Sequence, residues 1–153
     1  MEWEHPPIIK IYEALGSIAD KRIKISGNSA KIFSSSGNKF YTVDFEPSSQ
    51  SIMVNDNASF YKGYLGYPAI AFLLLCGELT YAPPTAEKLK GYAWKDINQK
   101  FKNDFDKALE YIFSEKTAEE KSEIEKEVNA INEQLKSKSY NLLGTKVKPP
   151  EGY

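Results

Sequence analysis

Apolar residues are denser between Gly63 and Leu79 than anywhere else in the chain, and from Ala69 to Cys76 no polar side chain interrupts them. A helix over this stretch is greasy on every side and belongs at the centre of the fold. The run is far shorter than the ~18 apolar residues of a membrane span. It also stops sharply at Gly77 and Glu78. Pro68 suits a first helical turn and Gly77 a helix end, so a buried central helix is predicted over Pro68 to Cys76.

Ahead of it, Pro6 and Pro7 open a helix in which Ile8, Ile11, Tyr12, Leu15, Ile18 and Ala19 recur at steps of three and four, one buried stripe ending near Asp20. The period then changes to two. Arg22-Ile-Lys-Ile-Ser, Ala30-Lys-Ile-Phe, Phe40-Tyr-Thr-Val-Asp-Phe-Glu and Ser51-Ile-Met-Val alternate polar and apolar residues between turns at Gly27-Asn28, Gly37-Asn38 and Pro47-Ser48. This is the pattern of a four-stranded antiparallel meander with one wet face. Ile23, Ile25, Ile32, Tyr41, Val43 and Phe45 are the side chains expected to pack on the central helix.

Beyond Pro83 and Pro84 two amphipathic helices are predicted. Trp94, Ile97, Phe101, Phe105, Ala108, Leu109 and Ile112 form the stripe of the first, widened by Phe113. The second starts at Thr117, whose spacing to Glu120 is that of a capping box. Its Ile124, Val128, Ile131 and Leu135 make a narrow seam, suited to packing on the preceding helix or to a homodimer through the 117–138 helix. The expected fold is α+β: an N-terminal helix, a four-stranded antiparallel β-meander, a buried central helix and two C-terminal amphipathic helices. It forms one domain over residues 1–140, with 141–153 as a tail.

Composition narrows the function classes. The 153 residues hold 20 basic and 21 acidic side chains, so no global field attracts nucleic acid or anionic lipid. Arg22 is the only arginine, which disfavours bidentate reading of base edges. With Cys76 and His5 as the only residues of their kinds, an internal disulfide and a Cys/His zinc site are excluded, no metal or cofactor is expected, and a reducing, cytoplasmic setting fits. The acidic N-terminus is not that of a signal peptide.

No catalytic residue stands out. Cys76 reads as an inert thiol inside the greasiest segment, His5 as unpositioned, and Asp44 and Glu46 as a solvated strand face. The protein is therefore read as non-enzymatic. Two constellations remain. Tyr61, Tyr64 and Tyr67 crowd the linker before the central helix, as lids on the core or as a protein-interaction surface. Lys88, Lys90, Lys95 and Lys102 lie close to Tyr92 and Trp94, as a solvated lysine face or as a phosphate track beside stacking rings.

The stretch from Phe40-Tyr-Thr-Val through Ser51-Ile-Met-Val-Asn-Asp-Asn to Gly66-Tyr-Pro-Ala-Ile-Ala-Phe-Leu-Leu-Leu resembles the SWIM module, a ββα unit built around zinc. The four ligand positions of that module fall on Ile52, Val54, Tyr67 and Ala69, none of which binds zinc. The resemblance, over about residues 40–79, implies a degenerate, metal-free version with an interaction role close to DNA metabolism. The expected function is a small intracellular interaction module, a protein adaptor with an unidentified partner and no membrane association. Its rivals are a non-specific nucleic-acid binder, and a small-molecule-binding protein or enzyme with a pocket between sheet and helices.

Overall fold

A computed structural model describes residues 1–152. The chain is α+β. Helix α1 (Ile9–Ala19) leads into strands β1 (Ile23–Ser26), β2 (Ser29–Phe33), β3 (Phe40–Glu46) and β4 (Ser51–Val54), which pair in order as an antiparallel meander. The alternation works as read: Ala30, Ile32, Tyr41, Val43 and Phe45 point inward and are buried. Ile25, on the edge strand, is exposed.

The central helix is α3 (Tyr67–Leu75), with every residue from Pro68 to Leu74 buried. It lies against α1 and against the inner faces of β3 and β4. Cys76 is its C-cap, and the thiol expected in the core is exposed, because the helix ends just before it and the chain turns out at Gly77. Helix α1 is buried far beyond its stripe. Ile9 through Ser17 are all buried, including Lys10 and Glu13, because α3, α4 (Pro83–Glu87) and α7 (Ala118–Lys136) contact the helix.

The linker before α3 is not all loop. Asp56 caps a short helix α2 (Asn57–Lys62), its carboxylate accepting from the Ser59 amide, and Gly63 ends it in the left-handed region. The single helix expected from Trp94 to Phe113 is two: α5 (Trp94–Lys100) and α6 (Phe105–Phe113). Lys102 and Asn103 turn left-handed between them, and Asp104 caps α6 through the Lys107 amide at 3.2 Å. Helix α7 carries the capping box of Thr117 and Glu120, and its seam of Ile124, Val128, Ile131 and Leu135 is buried within the chain.

A fifth strand was not foreseen. β5 (Asn141–Leu142) adds to β4 in parallel, so the sheet is five-stranded and mixed. The first residues of the chain complete that edge: the Trp3 amide donates to Tyr140 O at 2.9 Å, its indole to Ile52 O at 2.8 Å, and the Leu142 amide to Met1 O at 2.8 Å. These are mostly backbone bonds between segments distant in sequence, which leave no periodicity to read.

Candidate ligand cavity

Between α1, the start of β1, β3, α2 with the turn after it, and α5 lies an open cavity of about 580 Å³. Helix geometry supplies its floor. Lys10 and Glu13 are three apart on α1, so they stand on one face. Their ion pair, Nζ to Oε2, is 2.9 Å long. Lys10 is 9% exposed and Glu13 5%. From the other side, Asn98 of α5 donates its Nδ2 to Glu13 Oε1 at 3.3 Å. That bond fixes the amide's orientation and leaves Oδ1, buried, with no partner in the structure.

Tyrosines form the walls. Tyr41 and Tyr67 meet edge to face with ring centres 6.2 Å apart, and Tyr61 and Tyr64 complete the lining with Phe105, whose ring lies 5.5 Å from the Lys10 ammonium. Arg22 braces this wall: Nη1 donates to Phe33 O at 2.6 Å and to the Tyr67 hydroxyl at 3.4 Å, while Nε pairs with Asp20 at 3.3 Å. The amide of Lys95 donates to Ser35 Oγ at 3.1 Å, which ties the start of α5 to the β2–β3 turn and closes that side.

The charges follow from this burial. Burial works to lower Lys10; the Glu13 carboxylate, with help from Tyr64 and Asp56, outweighs it and holds the ammonium above the usual lysine range. Burial pushes the Tyr41 phenol up to about 12, with Asp56 and Glu13 adding to it. Burial likewise raises Tyr64 and, further, Tyr67. All three phenols are therefore neutral donors at physiological pH. Asp56 is raised by complete burial, against the opposing bonds from Ser59, and its carboxylate fills the space where a Cβ on Gly66 would stand. Lys95, at the mouth, is lowered first by partial burial and then by its neighbour Lys39.

The predicted residues separate into two groups. Tyr61, Tyr64 and Tyr67 do come together, on this cavity, and Trp94 and Lys95 join them. Tyr61 is 65% exposed at the rim. The lysine-aromatic set does not form one face. Trp94 is 2% exposed, Lys88 pairs with Glu123 of α7, and the Tyr92 hydroxyl donates to Glu115 at 3.1 Å; Lys90 and Lys102 are exposed elsewhere. His5 is held, with Nε2 2.7 Å from Asn132 Oδ1. Asp44 and Glu46 are exposed on the outer sheet face, away from the cavity.

Sequence reasoning missed Lys10, Glu13, Arg22, Tyr41, Asp56 and Asn98 as site residues. One signal was present: Lys10 and Glu13 are the only charges in an otherwise apolar Ile8–Ala19 segment, at the spacing that pairs them. Among the SWIM-like positions, Ile52, Val54 and Ala69 are buried in the core and Tyr67 lines the cavity. Among the described residues no group of three His, Cys, Asp or Glu side chains could hold a metal, and no helix is long and apolar enough to cross a membrane.

No curated protein and no solved structure matches this chain. A family model described as "Uncharacterised conserved protein UCP014422" matches residues 3–141, which include every helix, strands β1 to β4 and every cavity residue named above, and the chain belongs to that family.

Proposed function

We propose that this protein binds a small organic molecule in the cavity between α1, β3 and α5, and does not transform it. The observation that carries the reading is the buried Lys10–Glu13 pair with the unpartnered Asn98 acceptor beside it, on the floor of a tyrosine-walled space. A space of about 580 Å³ is within the ~300–1,000 Å³ of small-molecule sites, which combine apolar walls with a few placed polar groups. A buried ion pair is a poor way to stabilise a fold, because apolar residues of the same volume do as well or better. Its position on a cavity wall supports a role in recognition.

Thermal unfolding in the presence of a panel of small metabolites tests this. A ligand of the cavity raises the midpoint, by mass action, in the wild type. The rise disappears in Tyr41→Leu and in Asn98→Leu. A ligand whose effect survives both substitutions would overturn the assignment to this cavity.

A protein partner seated on the cavity rim is the second reading, favoured by the 65% exposure of the Tyr61 ring; the SWIM likeness adds an interaction role to it. A homodimer through the last helix would have to use its charged face, since the seam is buried. Nucleic-acid binding along Lys88 to Lys102 is not supported, because the Trp94 ring is covered and Lys88 faces α7. A cytoplasmic setting suits a chain whose one cysteine has no partner thiol.

A further inference from the structure

We propose that the outer face of the sheet, around Lys24, Lys31, Phe33 and Phe40, binds single-stranded nucleic acid without regard to base sequence. None of these four residues lines the cavity, so the two sites are independent.

The alternation that turns Ile32 and Tyr41 into the core turns their neighbours the other way. Lys31 and Phe33 flank Ile32 on β2, Phe40 and Thr42 flank Tyr41 on β3, and Lys24 pairs with Lys31 from the edge strand β1. Phe33 and Phe40 are cross-strand partners, with ring centres 5.8 Å apart. Phe33 is half-buried without belonging to the side chains packed on the core, and Phe40 is 41% exposed. Two rings side by side on an open sheet face are a stacking surface for bases, each of which has a π-face.

The charge beside them is positive. Lys24 and Lys31 stand directly opposite each other on adjacent strands, a register in which like charges oppose strand pairing. Among the described residues neither forms an ion pair, and Asp44, further along the same face, accepts from the Ser29 hydroxyl. The ammonium groups lie instead over the phenylalanines, Lys24 Nζ 5.4 Å from the centre of Phe33 and Lys31 Nζ 5.0 Å from that of Phe40. A phosphate between the lysines replaces their repulsion by two attractions. An exposed cation–π contact is weaker than a base stacked on a ring, so a base displaces the ammonium while the phosphate keeps it close.

Protection of the sheet edge accounts for less. A lysine on an edge strand discourages pairing with another chain, but that needs only Lys24; Lys31 is on the second strand and Phe40 on the third. An acidic peptide matches the lysines and leaves the rings without a role. A polynucleotide matches both, and it must be single-stranded, because a duplex hides its base faces. Lysines are point charges and not the forked donors that read base edges, so the binding ignores sequence.

Fluorescence anisotropy with labelled oligothymidylate and oligouridylate, a DNA duplex and polyglutamate tests this on the full chain. At least one single strand is expected to bind, the preferred one identifying the sugar, and the duplex to bind at least about tenfold more weakly. With two phosphates neutralised, log affinity should fall against log salt with a slope of about −1.4. Phe40→Ala should weaken binding about tenfold and leave that slope unchanged, whereas Lys31→Gln should reduce the slope by about half. Circular dichroism establishes that both variants are folded, and the comparison of single strand with duplex needs neither. No binding at low salt, equal affinity for duplex and single strand, or an affinity unchanged by Phe40→Ala would overturn the proposal. So would polyglutamate binding as tight as that of the oligonucleotides, which points to an acidic protein partner.

Discussion

Helices α1 and α3 are both buried along nearly their whole length, yet they are built differently. From Pro68 to Leu74, α3 carries no polar side chain; α1 has Lys10, Glu13 and Ser17 among its buried residues. The core side of α1, with Ile11 and Leu15, packs as α3 does. The side that carries Lys10 and Glu13 faces the cavity. The difference teaches that burial by the surrounding fold and burial in a dry core are distinct. Two charges survive in α1 only because a space opens beside them, and that space is where recognition belongs.

The largest effect expected from breaking this comparison is in α3. Phe72 is fully buried, and Phe72→Ala should lower the unfolding free energy by about 4 kcal/mol in guanidinium titrations. A loss under about 1 kcal/mol, the size of a surface effect, would mean that α3 is not the centre of the core. Next comes Glu13→Leu alone, which leaves the Lys10 ammonium buried without its carboxylate and should cost about 3 kcal/mol. Full wild-type stability in that variant would mean that water already solvates Lys10. Thr117→Ala, which removes the cap of α7 far from both helices, should cost about 1 kcal/mol and leave ligand affinity untouched.

The smallest effect is a pH dependence. Asp56 is raised by burial, so its stabilising contribution is fully present below the usual aspartate range and is lost as pH rises through the raised native value. Asn keeps the capping oxygen and cannot ionise. The stability difference between Asp56→Asn and wild type should therefore shift in favour of the variant as pH rises across that window, measured by urea unfolding at a series of pH values. A difference independent of pH would place Asp56 in contact with solvent.

Most of the fold was legible because its elements are local: the meander's alternation, the greasy run of α3 and the Thr117 capping box each lie within one short stretch. The break between α5 and α6 was legible in principle at Asn103-Asp104, a residue that tolerates the left-handed region followed by a cap, but the apolar stripe runs through it unbroken. β5 was not legible, since two residues carry no pattern and their amides donate to Gln50 and Met1, far away in sequence. The site was half legible. Tyr61, Tyr64 and Tyr67 drew attention by their density, whereas Tyr41 looked like core and Asn98 like a surface residue. What brings those two to the same cavity as Lys10 is tertiary contact, which no spacing along the chain encodes.

The central claim is that the Lys10–Glu13 pair serves a ligand and not the fold. The most direct test replaces both, Lys10→Met with Glu13→Leu, and measures unfolding of the double variant with and without a molecule that stabilises the wild type. The expected result is a ligand-free stability equal to or above that of the wild type, because matched apolar side chains substitute for a buried ion pair without loss, together with no stabilisation by the ligand. A double variant that is several kcal/mol less stable, or that still gains the full ligand effect, would contradict it.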